Sequence, residues 1–111
     1  GGVRRRPVAE SVVASGVDMV GIGTALAIDP GLPRDWRQGK DSAPQLPPIT
    51  WKNKAFAALA NMAVVKFQLS KLSRDKQPDP TVSPLRALIL QQLAVLWRTR
   101  QYRRWVQKRL V

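Results

Sequence analysis

Only one run in this chain has the character of a strand. Val17–Ile22 is short, apolar on both faces and bounded by glycines at Gly16 and Gly23. That pattern fits a buried strand with parallel neighbours. Parallel neighbours need crossover units, and the sequence contains only one, a helix followed by this run. A lone buried strand would leave backbone N–H and C=O groups unpaired, at about 1–3 kcal/mol for each buried group. The run therefore has three courses. It can pair with residues around Gly2, pair with a second copy, or give up the strand and extend the neighbouring helices. Self-association or loss of the strand is the expectation, and the isolated chain should be mostly α.

The remaining punctuation is helical. Arg4-Arg5-Arg6-Pro7 opens a helix, because proline is tolerated in a first turn. Val8, Val12 and Val13 give it an apolar face, and Gly16 is placed to stop it. From Asp29 to Pro48, five prolines exclude any long element. Leu26, Ile28, Leu32 and Trp36 can anchor this segment, with a short helical turn near Arg34–Arg37. Thr50 is placed to cap a helix over Trp51–Ser73. Ala55 to Val65 is almost wholly apolar, which predicts cover on more than one side, with Asn61 at the wet edge. Arg74–Val82 reads as a linker. Ser83-Pro84 starts a second long helix, Pro84–Trp97, with Leu85, Leu88, Ile89, Leu93, Leu96 and Trp97 on its apolar face. Tyr102, Trp105, Val106 and Leu110 form another stripe, out of phase with the first, so a kink or break is expected near Thr99.

The chain has 111 residues and neither cysteine nor histidine. Disulfides, thiolate metal sites and histidine general bases are excluded. Seven acidic residues are scattered along the chain and suggest no metal site or catalytic constellation. The net charge is +12, which points to nucleic acid or an anionic surface. No apolar run is long enough to span a bilayer, and a cytoplasmic setting is expected. The tail from Arg98 to Arg109 interleaves cations with Tyr102 and Trp105. Helical spacing lets those aromatics be buried while the arginines face water. A solvated helix face is favoured over a nucleic-acid reader, and an anionic membrane ranks lower because the aromatics are few. Any binding of anionic partners should be non-specific and should weaken with salt.

Glycines carry the remaining signal. Gly1-Gly2-Val3-Arg4 is followed by a helix ending Ala14-Ser15-Gly16. Next come Asp18-Met19-Val20-Gly21-Ile22-Gly23-Thr24 and then Asp29-Pro30-Gly31-Leu32-Pro33. A glycine turn that ends a strand and starts a helix points backbone N–H groups outward, as a phosphate site requires.

In order and spacing, this series resembles the C-terminal end of the old yellow enzyme family of FMN-dependent NADH:flavin oxidoreductases. The resemblance covers about residues 1–40, roughly a third of the chain. It implies that residues 1–40 are the terminal β/α segment of a TIM-barrel FMN domain, and that residues 41–111 are a helical C-terminal extension. Gly1, Gly2, Gly21 and Gly23 would approach the FMN phosphate through their backbone. Thr24 stands where the family usually has arginine, so it offers an N–H and a hydroxyl in place of a guanidinium fork. The family's catalytic residues lie on earlier strands and are not in this chain. The implied parent moves hydride from NAD(P)H through FMN to an activated alkene or similar acceptor, with the remainder of the barrel as this chain's partner. The isolated chain is expected to be inactive and to bind FMN weakly or not at all. The alternative is a small basic helical module for nucleic acid or a protein partner. The opening residues read like the end of an element, which suggests a C-terminal piece of a longer protein or else a processed or engineered start.

Overall fold

The computed structural model describes residues 2–110, with Leu110 described by its backbone only. Among these residues are five helices and no strand: α1 Arg6–Ala14, α2 Thr24–Ile28, α3 Leu32–Arg37, α4 Lys54–Leu72 and α5 Pro84–Leu110. The isolated chain is thus mostly helical, as expected. Of the courses open to Val17–Ile22, loss of the strand is the one found, but without the extension of the neighbouring helices expected to go with it. The run is neither paired nor helical, and Met19 is 83% exposed. With no parallel neighbour to take its backbone groups, the segment leaves them to water. The neighbouring helices do not extend across it, because Gly16 ends α1 first.

The chain divides into two compact units. The first comprises the residues up to Pro48 together with Gln68–Pro80; the second comprises Ile49–Phe67 and the residues from Thr81 onward.

In the first unit, α1 begins with Pro7 in its opening turn. Gly16 ends it at φ +98°, with its N–H donating to the carbonyl of Val13. This left-handed conformation suits glycine and would strain any other residue. After the extended run, the Gly23 carbonyl accepts from the N–H groups of Leu26 and Ala27 to start α2. Asp29 then accepts the Gly31 N–H at 3.0 Å, an Asx turn that redirects the chain into α3. Beyond α3, the Trp36 indole donates to the Ser42 carbonyl at 2.8 Å, and the Ser42 hydroxyl donates to Asp35 at 3.0 Å. These bonds give the proline-rich segment its order as far as Ser42. Leu32 is fully buried, and Ala25 and Ala27 of α2 are buried as well.

Gln68 closes the second part of this unit. Its amide nitrogen donates to the Asp79 carbonyl at 2.7 Å, and its amide oxygen accepts the Asp79 N–H at 2.8 Å. The side chain is fully buried. One amide therefore satisfies both backbone groups of Asp79 and fixes the linker after α4.

In the second unit, Asn53 caps α4. Its side-chain oxygen accepts from the N–H groups of Ala55 at 3.0 Å and Phe56 at 3.2 Å. The expected cap at Thr50 is corrected: residues 49–53 are not helical, and Asn53 is the residue whose oxygen reaches the orphan donors. On α4, Ala57, Ala60, Ala63 and Val64 are buried, whereas Phe56, Leu59 and Met62 are exposed. The expected cover on more than one side is absent; small residues face inward and large ones face water. Asn61 is exposed, as a wet-edge position should be.

Ser83 and Pro84 start α5 as expected, and the Ala87 N–H donates to the Ser83 carbonyl. The break near Thr99 is not found, because α5 runs unbroken over 27 residues. The two apolar stripes differ in phase, but Tyr102 and Trp105 are exposed. No burial constraint forces the backbone to realign them, and the segment has neither proline nor glycine to kink it.

Candidate functional site

The residues singled out for a phosphate contact fall in the first unit. Gly1 lies outside the described residues. Gly2 has φ +91°, and a Cβ placed on it would meet nothing within 4 Å. The same space is open at Gly21 and Gly23, where φ is not positive. Among the described residues nothing approaches these glycines closely, so the space at each is open to a ligand.

Gly2 lines a cleft of about 270 Å³ with Arg4, Arg5, Ala43 and Pro44. Gly21, Gly23 and Thr24 do not line that cleft. Thr24 is the half-buried first residue of α2. No described hydrogen bond has the N–H of Gly21, Gly23 or Thr24 as donor. These three groups are therefore chemically able to meet an anion, although α2 is only five residues long and contributes little dipole.

A larger cleft, about 670 Å³, lies between α1 and the extended run. Ala9 and Val13 form one wall, Met19, Val20 and Ile22 another, and Trp36 adjoins them. It is mainly apolar, with Glu10 at its edge held by Arg6 at 2.7 Å. Sequence reasoning missed this cleft. Its signal was the apolar face of α1, of which Val13 lines the cleft, beside an apolar run that has no strand partner.

The basic tail is exposed along α5, including Arg98, Arg100, Arg103 and Arg104. The Tyr102 and Trp105 rings stack with centroids 6.0 Å apart, and the Arg109 guanidinium lies 4.4 Å from the Trp105 centroid. The solvated arginines match expectation. The aromatics are not buried beneath them, however; they stack on side chains three and four residues away. Leu110, assigned to the same stripe, has no described side chain.

No group of three or more acidic side chains able to hold a metal ion occurs among the described residues. No described helix is long and apolar enough to cross a membrane. No protein-family model, curated protein or solved structure matches the chain.

Proposed function

We propose that this chain is the C-terminal portion of an FMN-dependent NADH:flavin oxidoreductase of the old yellow enzyme type. On this reading residues 1–40 end a TIM barrel and the later helices form an extension. The observation that carries it is the ordered series of glycine turns followed by Asp29-Pro30-Gly31-Leu32-Pro33. Three structural features support it. The space at Gly2, Gly21 and Gly23 is open. The N–H groups at Gly21, Gly23 and Thr24 are available. The apolar run Val17–Ile22 and the cleft beside α1 lack the neighbours that a barrel strand would have.

In the assembled protein, FMN would supply hydride transfer between a nicotinamide and an acceptor. The part of this chain is binding. Backbone donors at Gly21, Gly23 and Thr24 hold a phosphate, the Thr24 hydroxyl adds a neutral donor, and Gly2 gives room for approach. No side chain here acts on the substrate. Tyr102 lies on α5 and matches no family position. The setting proposed is cytoplasmic.

The alternative, a basic helical module for nucleic acid or a protein partner, has one observation in its favour: the exposed arginines of α5. Against base stacking, the rings of Tyr102 and Trp105 already contact one another, and Arg109 covers Trp105.

The test is to read the coding sequence upstream of Gly1 and express its product. Six further β/α units and a flavin-loaded protein are expected. Gly21→Val with Gly23→Val should then lower FMN affinity at least about tenfold, because side chains would fill the approach to the phosphate. A start codon directly before Gly1, with no FMN uptake, would refute the proposal.

A further inference from the structure

Helix α5 carries two kinds of side chain along a single line. Leu85, Ile89, Leu93 and Leu96 are spaced four, four and three residues apart, which keeps them on one side of a helix. They are exposed by 56, 52, 57 and 66%. Continuing by the same steps reaches Arg100 and Arg103, with Arg104 and Lys108 beside them, all exposed. The helix is unbroken, so an apolar strip runs directly into a basic one over a helix about 40 Å long.

The charge around this strip is one-sided. The second unit has ten lysines and arginines, four before Trp97 and six beyond it, and no aspartate or glutamate.

We propose that this side of α5 docks on an anionic phospholipid bilayer, lying in the plane of the interface. Ile89, Leu93 and Leu96 enter the boundary between headgroups and acyl chains. Arg100, Arg103 and Arg104 pair with lipid phosphates and carboxylates, and exposed Trp97 sits at headgroup level. The helix lies on the membrane, since it is not apolar enough to cross one. A lipid surface uses both halves of the strip. A nucleic-acid backbone would use the arginines and leave the aliphatic row in water. A second copy in parallel would set arginine against arginine, with no acidic residue in this unit to compensate, and an antiparallel copy seated on the aliphatic row would leave the arginines uncovered. This docking is independent of the flavin reading.

The test uses the full chain and vesicles of phosphatidylcholine with or without phosphatidylserine. Co-sedimentation with the phosphatidylserine vesicles is expected, with a blue shift of tryptophan emission and protection from iodide quenching. L93Q with L96Q, and separately R100Q with R103Q and R104Q, should each weaken binding at least about tenfold while far-UV circular dichroism stays helical. If either variant loses its helix, the iodide protection given by phosphatidylserine vesicles, compared between W97F and the unmodified chain, carries the test: the protection should be smaller in W97F. Failure to bind phosphatidylserine vesicles, or equal binding to phosphatidylcholine alone, overturns the proposal. So does binding unaffected by L93Q with L96Q, the result expected of a simple polyanion site such as one for nucleic acid. A concentration-dependent dimer that shields Trp97 without lipid would also overturn it, in favour of a second copy.

Discussion

The two units of this chain are held by different means. The first contains all seven acidic residues against nine basic ones, and its order rests on side chains that bond specific backbone groups. Asp29 turns the chain, Trp36 and Ser42 pin a loop, and Gln68 clamps Asp79. The second unit has no acidic residue, and its buried residues are mostly alanines on helix faces. The difference is instructive. Irregular chain needs a named partner for each backbone group, whereas a helix supplies its own and needs only a small-residue face to pack.

The largest effect should come from the first unit's core. Leu32 is fully buried, so Leu32→Ala should cost about 2–5 kcal/mol by denaturant titration, through lost transfer energy and a residual cavity. A cost under about 1 kcal/mol would mean that the unit collapses freely around the site and is less specifically packed than the burial of Leu32 implies.

Next comes the clamp. Gln68→Ala removes the two bonds that this amide makes to the Asp79 backbone and should cost about 1–3 kcal/mol. Hydrogen exchange at the Asp79 amide should accelerate. Unchanged exchange there would show that water replaces the clamp without loss.

A smaller effect is expected in the second unit. Asn53→Ala should cost about 1 kcal/mol, and Asn53→Gly only a few tenths. Faster exchange at Ala55 and Phe56 is the diagnostic measurement. A larger effect from Thr50→Ala would return the cap to Thr50.

The smallest effect should be at the exposed pair of Arg6 and Glu10. Glu10→Gln is expected to shift stability by no more than about 0.5 kcal/mol, since water and salt screen such pairs. A larger loss would show that the first unit depends on surface charge more than on its backbone bonds.

Much of the helical plan could be read from residues alone. Gly16 as a stop and Ser83-Pro84 as a start were legible because each acts through local backbone geometry. The helical turn at Arg34–Arg37 was legible in part, since α3 begins earlier, at Leu32. Choosing between Thr50 and Asn53 was harder, because both are good caps and only the path of the chain decides which oxygen reaches the donors. Gln68 gave no signal, as its partner lies eleven residues away across a linker. Periodicity located the apolar stripes of α4 and α5 but not whether anything covers them, so Leu59, Met62 and Tyr102 emerge exposed. Of the candidate phosphate residues, glycine identity marked the open space, while the separation of Gly2's cleft from Gly21 and Gly23 depended on tertiary placement.

The uncovered end of α5 also bears on how the chain survives digestion. From Arg98 to Arg109, only Val106 is even half-buried, so these turns have little tertiary packing to resist local opening. Proteases cut segments that open, and six of these twelve residues are arginine or lysine. Trypsin should therefore trim this end before it cuts within α4. The rate of that trimming gives a label-free gauge of occupancy, because anything seated along the helix would slow it.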